Sequence, residues 1–131
     1  MSMKEKIILE IIELAKQKIE NEVDLSGIDT GTKFENYVTL VVEEIANNFD
    51  DIKVEQTGSQ SFPDIIIGET FGIEVKFTKS EKWESIGNSI FEGTLRKEVT
   101  NQIYTFFGRK VGNKIEIIHR NYEDWGVREI R

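Results

Sequence analysis

The chain has 131 residues and 15.2 kDa, with 38% hydrophobic and 31% charged residues and a formal net charge of -7; this is the size and balance of one soluble globular domain, 1–131, with a single core. It contains no Cys and a single His, which excludes disulfides, thiolate nucleophiles, thiolate metal sites and any His cluster. No apolar run approaches the roughly 20 residues of a bilayer span, and the N-terminal residues lack a basic-then-apolar leader pattern, so the expectation is a cytoplasmic protein with no membrane partner.

From Lys4 to Glu22, Ile7, Ile8, Ile11, Ile12, Ala15 and Ile19 recur at three- and four-residue spacing, which predicts an amphipathic helix. Asp24 to Gly31 reads as a loop. Phe34, Tyr37, Val38, Val41, Val42, Ile45 and Phe49 then form a second stripe, and a helix is expected over about 32–48. Thr32, with Glu35 three residues on, has the pattern of a capping box at its start.

Ile52 to Thr57 alternates as a half-buried strand should, and Gly58 to Ser61 is turn-like. A strand is expected to begin near Phe62 or Pro63, with Pro63 at its first position, where the missing donor is tolerated. Ile65 to Ile67, the polar turn Gly68-Glu69-Thr70, and Phe71 to Thr78 predict a hairpin whose strands are both central. Ser80 to Gly93, with Trp83, Ile86, Ile90 and Phe91, shows no period and reads as loop with possible helical turns. Thr94 to Asn101 reads as a short helix. Ile103 to Phe107 suits a strand, although the helix could continue through it. Gly112-Asn113 is a turn dipeptide and Lys114 to His119 a strand. The expected fold is α/β of the α+β-like kind, a mixed sheet with a central antiparallel hairpin flanked by helices.

Charge is uneven along the chain: residues 1–75 carry 6 Lys+Arg against 16 Asp+Glu, whereas 76–114 carry 8 against 4. A net negative chain therefore contains a locally basic stretch, although such an excess is also common on solvated surfaces.

The hairpin carries the chemistry. With its turn centred on Glu69, facing residues have numbers summing to 138, so Asp64 opposes Glu74, and Lys76 lies on the same face by the period of two. Two carboxylates so placed repel, and on a buried sheet they take up a proton unless a cation sits between them. Hard oxygen ligands at that spacing suit Mg²⁺, and a nearby Lys can hold a metal-adjacent water or stabilise charge developing on a phosphate. The alternative for these three residues is a cross-strand ion pair on a solvated face.

Pro63-Asp64, nine intervening residues and Glu74-Val75-Lys76 resemble the signature of the PD-(D/E)XK nuclease superfamily. The preceding helix, with Gly31, Phe34, Glu35 and Val38, resembles the helix that supplies an extra acidic residue in many members. The tracts 74–78 and 85–89 look most like those of type II restriction endonucleases. The resemblance covers roughly residues 31–110 and implies a restriction-endonuclease-like core, about 31–119. It implies Asp64, Glu74, Val75 and Glu35 as ligands of Mg²⁺, Lys76 as the group that positions and activates the attacking water, and Glu35 as an auxiliary acid. The implied reaction is metal-dependent hydrolysis of a DNA phosphodiester, leaving a 5′-phosphate and a 3′-hydroxyl, by a homodimer acting on double-stranded DNA. The competing readings are a Holliday-junction resolvase-like nuclease and a catalytically silent nuclease-fold module for DNA binding or dimerisation. For Glu35 the capping box is an equally good explanation.

Lys79, Lys82, Arg96, Lys97, Arg109 and Lys110 are candidates to neutralise phosphates, and Asn88 and Ser89 to touch bases or backbone; each also has an ordinary reading as a solvated surface residue. Gln102 is a weaker candidate. Trp83 and Trp125 read as core or interface, and His119 as structural. Gly-rich phosphate loops are absent, so no nucleotide cofactor is expected.

Overall fold

The fold is a five-stranded mixed sheet with two helices, seen in a computed structural model that describes residues 1–58, 61–80, 83 and 94–123, with only the main chain of Thr94 and Leu95. Helix α1 (Met3–Asn21) starts at Ser2, whose hydroxyl accepts from the Glu5 N–H, and buries Ile8, Ile11, Ile12, Ala15 and Ile19. Helix α2 (Gly31–Ala46) buries Phe34, Val38, Val41, Val42 and Ile45. Both stripes are those expected. The cap of α2 is not: Thr30, rather than Thr32, accepts from the Lys33 N–H at 3.1 Å. Thr residues flank Gly31 on both sides, and the helix starts two residues earlier than the capping-box pattern implies. Glu35 is thereby released from any capping role.

Among the described residues seven strands follow: β1 (Val54–Gln56), β2 (Ser61–Phe62), β3 (Ile65–Ile67), β4 (Phe71–Thr78), β5 (Thr94–Leu95), β6 (Ile103–Val111) and β7 (Lys114–Asn121). The main sheet runs β1-β3-β4-β6-β7, antiparallel except for the parallel β4 and β6, while β2 and β5 form a separate parallel pair. The hairpin is interior, as expected, and its register pairs Ile65 with Ile73, Ile66 with Gly72 and Ile67 with Phe71. Gly68 and Glu69 make the turn with φ of 63° and 72°.

Two expectations are corrected. Pro63 does not open a strand; it stands between β2 and β3, after a cis peptide bond with Phe62. Thr94 to Asn101 is not a helix: β5 pairs with β2, the Arg96 N–H donates to Phe62 O at 2.9 Å, and a turn follows in which the Val99 N–H donates to Arg96 O. Eight residues without an apolar stripe are too short to hold a helix alone, so a distant strand captures the main chain. Residues 103–107 are strand, and β6 runs on to Val111.

Both helices lie on one face of the sheet. Their stripes meet Ile65, Ile67, Phe71, Ile73, Tyr104, Phe106, Ile115 and Ile117, all buried, in one core. Each fully buried Ile or Phe contributes about 1.5–3 kcal/mol relative to exposure. Phe34 stacks on Phe77 with ring centroids 5.1 Å apart, which fixes the N-terminal half of α2 over the end of β4. Lys110 ties down the loop before α2 by donating to Ile28 O at 2.8 Å and Ser26 O at 3.0 Å. Among the described residues no helix is long and apolar enough to cross a membrane.

Candidate active site

Strand β3 begins late, at Ile65. Its ladder with β4 covers Phe71 to Ile73, whereas the ladder of β4 with β6 continues to Thr78. Beyond Ile73 one edge of β4 is therefore open, and Asp64, just before β3, folds across it. The Val75 N–H donates to Asp64 Oδ2 at 2.8 Å, and the Asp64 N–H donates to Glu74 Oε1 at 3.2 Å. Each residue thus holds a neighbour's main chain with its carboxylate, and the two acids are locked side by side. In a strand, one residue's N–H and C=O leave the same edge, so the Val75 carbonyl faces the same opening.

The main chain of Asp64 is fixed in turn by Thr57, which is 9% exposed. Its N–H donates to Asp64 O at 2.9 Å and its hydroxyl to Pro63 O at 2.7 Å. Gly72 leaves room for the Pro63 ring: a Cβ there would stand 2.3 Å from Pro63 Cγ. Glu35 reaches the same place from α2. Gln56 Nε2 donates to Glu35 Oε2 at 2.9 Å and to Asn36 Oδ1 at 2.8 Å.

The electrostatics follow from burial. Glu74 is pushed up to about 8, first by desolvation and second by the charge of Asp64, against the pull of Lys76. Asp64 is raised by burial, with the Val75 N–H and the Lys76 charge opposing. Glu35 is raised by burial and by the nearby Asp64, with the Gln56 amide opposing. Three carboxyls that resist ionisation together are a set that one added cation relieves. A fully solvated ion-pair face would not shift them so.

These groups line a cleft of about 490 Å³ between the first turn of α2 and the open edge of β4, which also takes in Lys76 and Lys79. A larger cavity, about 760 Å³, lies at the other end of α2 over β1 and β3. It gathers Glu43, Glu55, Glu69 and Glu98 around an apolar floor and no strained carboxyl pair, so the smaller cleft is the candidate site.

The donor set fits a hard divalent cation: two adjacent carboxylates and a main-chain oxygen at an open edge, with Glu35 beside them. It is a sparse set, since among the described residues no three His, Cys, Asp or Glu side chains converge as a ready ligand cluster. Any bound ion would keep several waters, which is usual for Mg²⁺.

Asp64, Glu74, Val75, Lys76, Glu35 and Lys79 therefore share one cleft. The other basic candidates do not. Arg96 pairs with Glu55 at 3.2 Å and Glu98 at 2.6 Å. Arg109 pairs with Glu116 and lies 4.8 Å from the centre of the Trp83 ring. Lys110 braces the loop described above, and Lys97 is exposed in the turn after β5. Gln102 lines a separate small cavity with Tyr122 and donates to Ile103 O. His119 meets Glu13 of α1 at 2.9 Å, a structural link as expected. Trp83 packs edge-on against Phe107. Lys82, Asn88, Ser89 and Trp125 lie outside the described residues. Gln56 and Thr57 were not legible as site residues: only the β1–β3 register, which places Gln56 opposite Ile65, brings them to Asp64.

The chain matches no family model, no curated protein and no solved structure. The functional reading consequently rests on the residues and their arrangement.

Proposed function

We propose that the chain is a Mg²⁺-dependent endonuclease of the PD-(D/E)XK kind, restriction-type, with a restriction-endonuclease-like core, hydrolysing DNA phosphodiesters to a 5′-phosphate and a 3′-hydroxyl. The observation that carries this is the pair of bonds that tie Asp64 to the open edge of β4, its N–H donating to Glu74 Oε1 and the Val75 N–H donating to its Oδ2, with Lys76 next on the strand. That arrangement supports a phosphoryl-transfer site better than a surface ion pair, because it concentrates carboxylates at a cost that a bound proton or a cation offsets.

Asp64, Glu74 and the Val75 carbonyl would hold Mg²⁺, with Glu35 beside them; the ion supplies charge neutralisation at the phosphate and a more acidic water. Lys76 then orients the attacking water through its ammonium group and stabilises negative charge growing on the non-bridging phosphate oxygens. Water adds to phosphorus, the bond from phosphorus to the 3′ oxygen breaks, and that oxygen takes up a proton. Gln56 and Thr57 hold Glu35 and Asp64 in place, so little reorganisation is needed when the substrate arrives. The first turn of α2 turns its positive dipole end towards the cleft, which favours an anionic substrate. Lys79 extends the basic rim.

The test is incubation of the purified chain with supercoiled, linear and four-way-junction DNA, with Mg²⁺ or with EDTA. Discrete Mg²⁺-dependent fragments of linear DNA support the restriction reading. Selective junction cutting supports a resolvase, and binding without cleavage a silent nuclease-fold module.

A further inference from the structure

Thr105 sits where the site needs a donor. On β6 it is the register partner of Glu74, so both side chains leave the same face of neighbouring strands about 4.8 Å apart. Its neighbours Tyr104 and Phe106 point into the core beneath the helices, which sends Thr105 to the opposite face. It is 1% exposed, and its Oγ1 has no hydrogen-bond partner among the described residues. A buried hydroxyl left unpaired is unfavourable, and a valine would fill the same space without that cost. Ile103 and Phe107, which flank Thr105 on that face of β6, carry no side-chain polar group. Glu74, for its part, accepts the Asp64 N–H at a long 3.2 Å, while a charged carboxylate has about four lone-pair positions to satisfy.

We propose that Thr105 is a positioning residue of the site, its hydroxyl turning to donate to Glu74 when that carboxylate carries its charge and holds a cation. The proposal rests on the nuclease reading for its chemistry, but its geometry is independent of the substrate. It explains why a β-branched polar residue occupies a buried place in which an apolar one would fit.

The experiment compares the parent with Thr105→Val, which keeps the shape without the hydroxyl, and Thr105→Ser, which keeps the hydroxyl. Mg²⁺ binding is read by calorimetry and Mg²⁺-dependent DNA cleavage by kcat and KM separately. Thr105→Val is expected to weaken Mg²⁺ binding and lower kcat by roughly 10-fold or more, as for other groups that support a metal ligand, with KM for DNA little changed. Thr105→Ser restores both, and Thr105→Val melts no lower than the parent. Thr105→Ala makes the same comparison should the valine variant not fold. Parental binding and kcat in the variants without the hydroxyl would overturn the proposal while leaving the nuclease reading intact. A parent that binds Mg²⁺ but cuts no DNA would defeat the nuclease reading, and the calorimetry alone would then decide on Thr105. A parent that needs DNA to bind Mg²⁺ leaves the decision to kcat. A parent that neither binds nor cuts defeats both.

Discussion

Glu74 is the residue on which protonation, metal and stability meet. Unfolded, it loses its proton near the ordinary value of 4.5; folded, it keeps the proton up to about 8. Between those values the folded state binds more protons than the unfolded one, so stability is highest at the acid end of the window and falls as pH rises through it. Melting in EDTA from about pH 5 to pH 8 should therefore show a declining transition temperature, with part of the decline removed in Glu74→Gln. A variant with the parental slope would show that Glu74 is not held as described. Glu35 and Asp64 are shifted in the same direction, so the slope should shrink rather than vanish. Asp64, Glu74 and Lys76 were legible in the sequence because their spacing depends only on one hairpin and its turn. Whether Glu35 served a cap or the cleft was not legible. Two threonines compete for the cap locally, and the choice of Thr30 is visible only once α2 is packed on the sheet.

At the scale of elements, the strands that depend on near neighbours followed from the sequence, and those captured by distant partners did not. The β3–β4 register came out of period-two alternation and a short turn, and the Gly-Asn turn marked the start of β7, whereas the length of β6 and its pairing with β7 did not follow. The segment at 94–101 was misread because its pairing partner, β2, lies some thirty residues away and leaves no local pattern. The same logic separates two glycines on strands that share the sheet. At Gly108 a Cβ would stand 2.4 Å from Phe34 Cζ, and at Gly72 it would meet Pro63. Each alanine variant should lose about 1–3 kcal/mol through overpacking, measurable by urea denaturation. Only Gly72→Ala displaces the peptide that carries Asp64, so it should lose more cleavage activity than Gly108→Ala at comparable stability. Equal residual activities would mean that the Pro63 contact does not govern the site.

Across the whole molecule, one face of the sheet is committed to a helix-covered core and the open edge of β4 to the cleft. Binding of an ion to the folded chain alone stabilises it by RT ln(1 + [L]/Kd), about 1.4 kcal/mol at tenfold excess over Kd. For a chain of this size that is a rise of a few degrees in melting temperature. The rise should appear with Mg²⁺, not with monovalent salt at equal ionic strength, and should be lost in Asp64→Asn. An Asp64→Asn variant that gains the same increment as the parent would place the ion elsewhere. The negative net charge and the commitment of Arg96, Arg109 and Lys110 to internal contacts leave the proposed DNA binding to few cations among the described residues, which is why cleavage, and not affinity, is the more informative readout.

Lys76 decides between a nuclease and a carboxylate scaffold, since the role proposed for it in the transition state has no counterpart in ground-state packing. The direct measurement is Mg²⁺-dependent conversion of supercoiled DNA by the parent and by Lys76→Ala, with melting curves on the same preparations. The parent should cut with Mg²⁺ and not with EDTA. Lys76→Ala should not cut, while its stability stays within about 1 kcal/mol of the parent. A Lys76→Ala variant that cuts DNA at the parental rate would contradict the assignment of this cleft as a nuclease site.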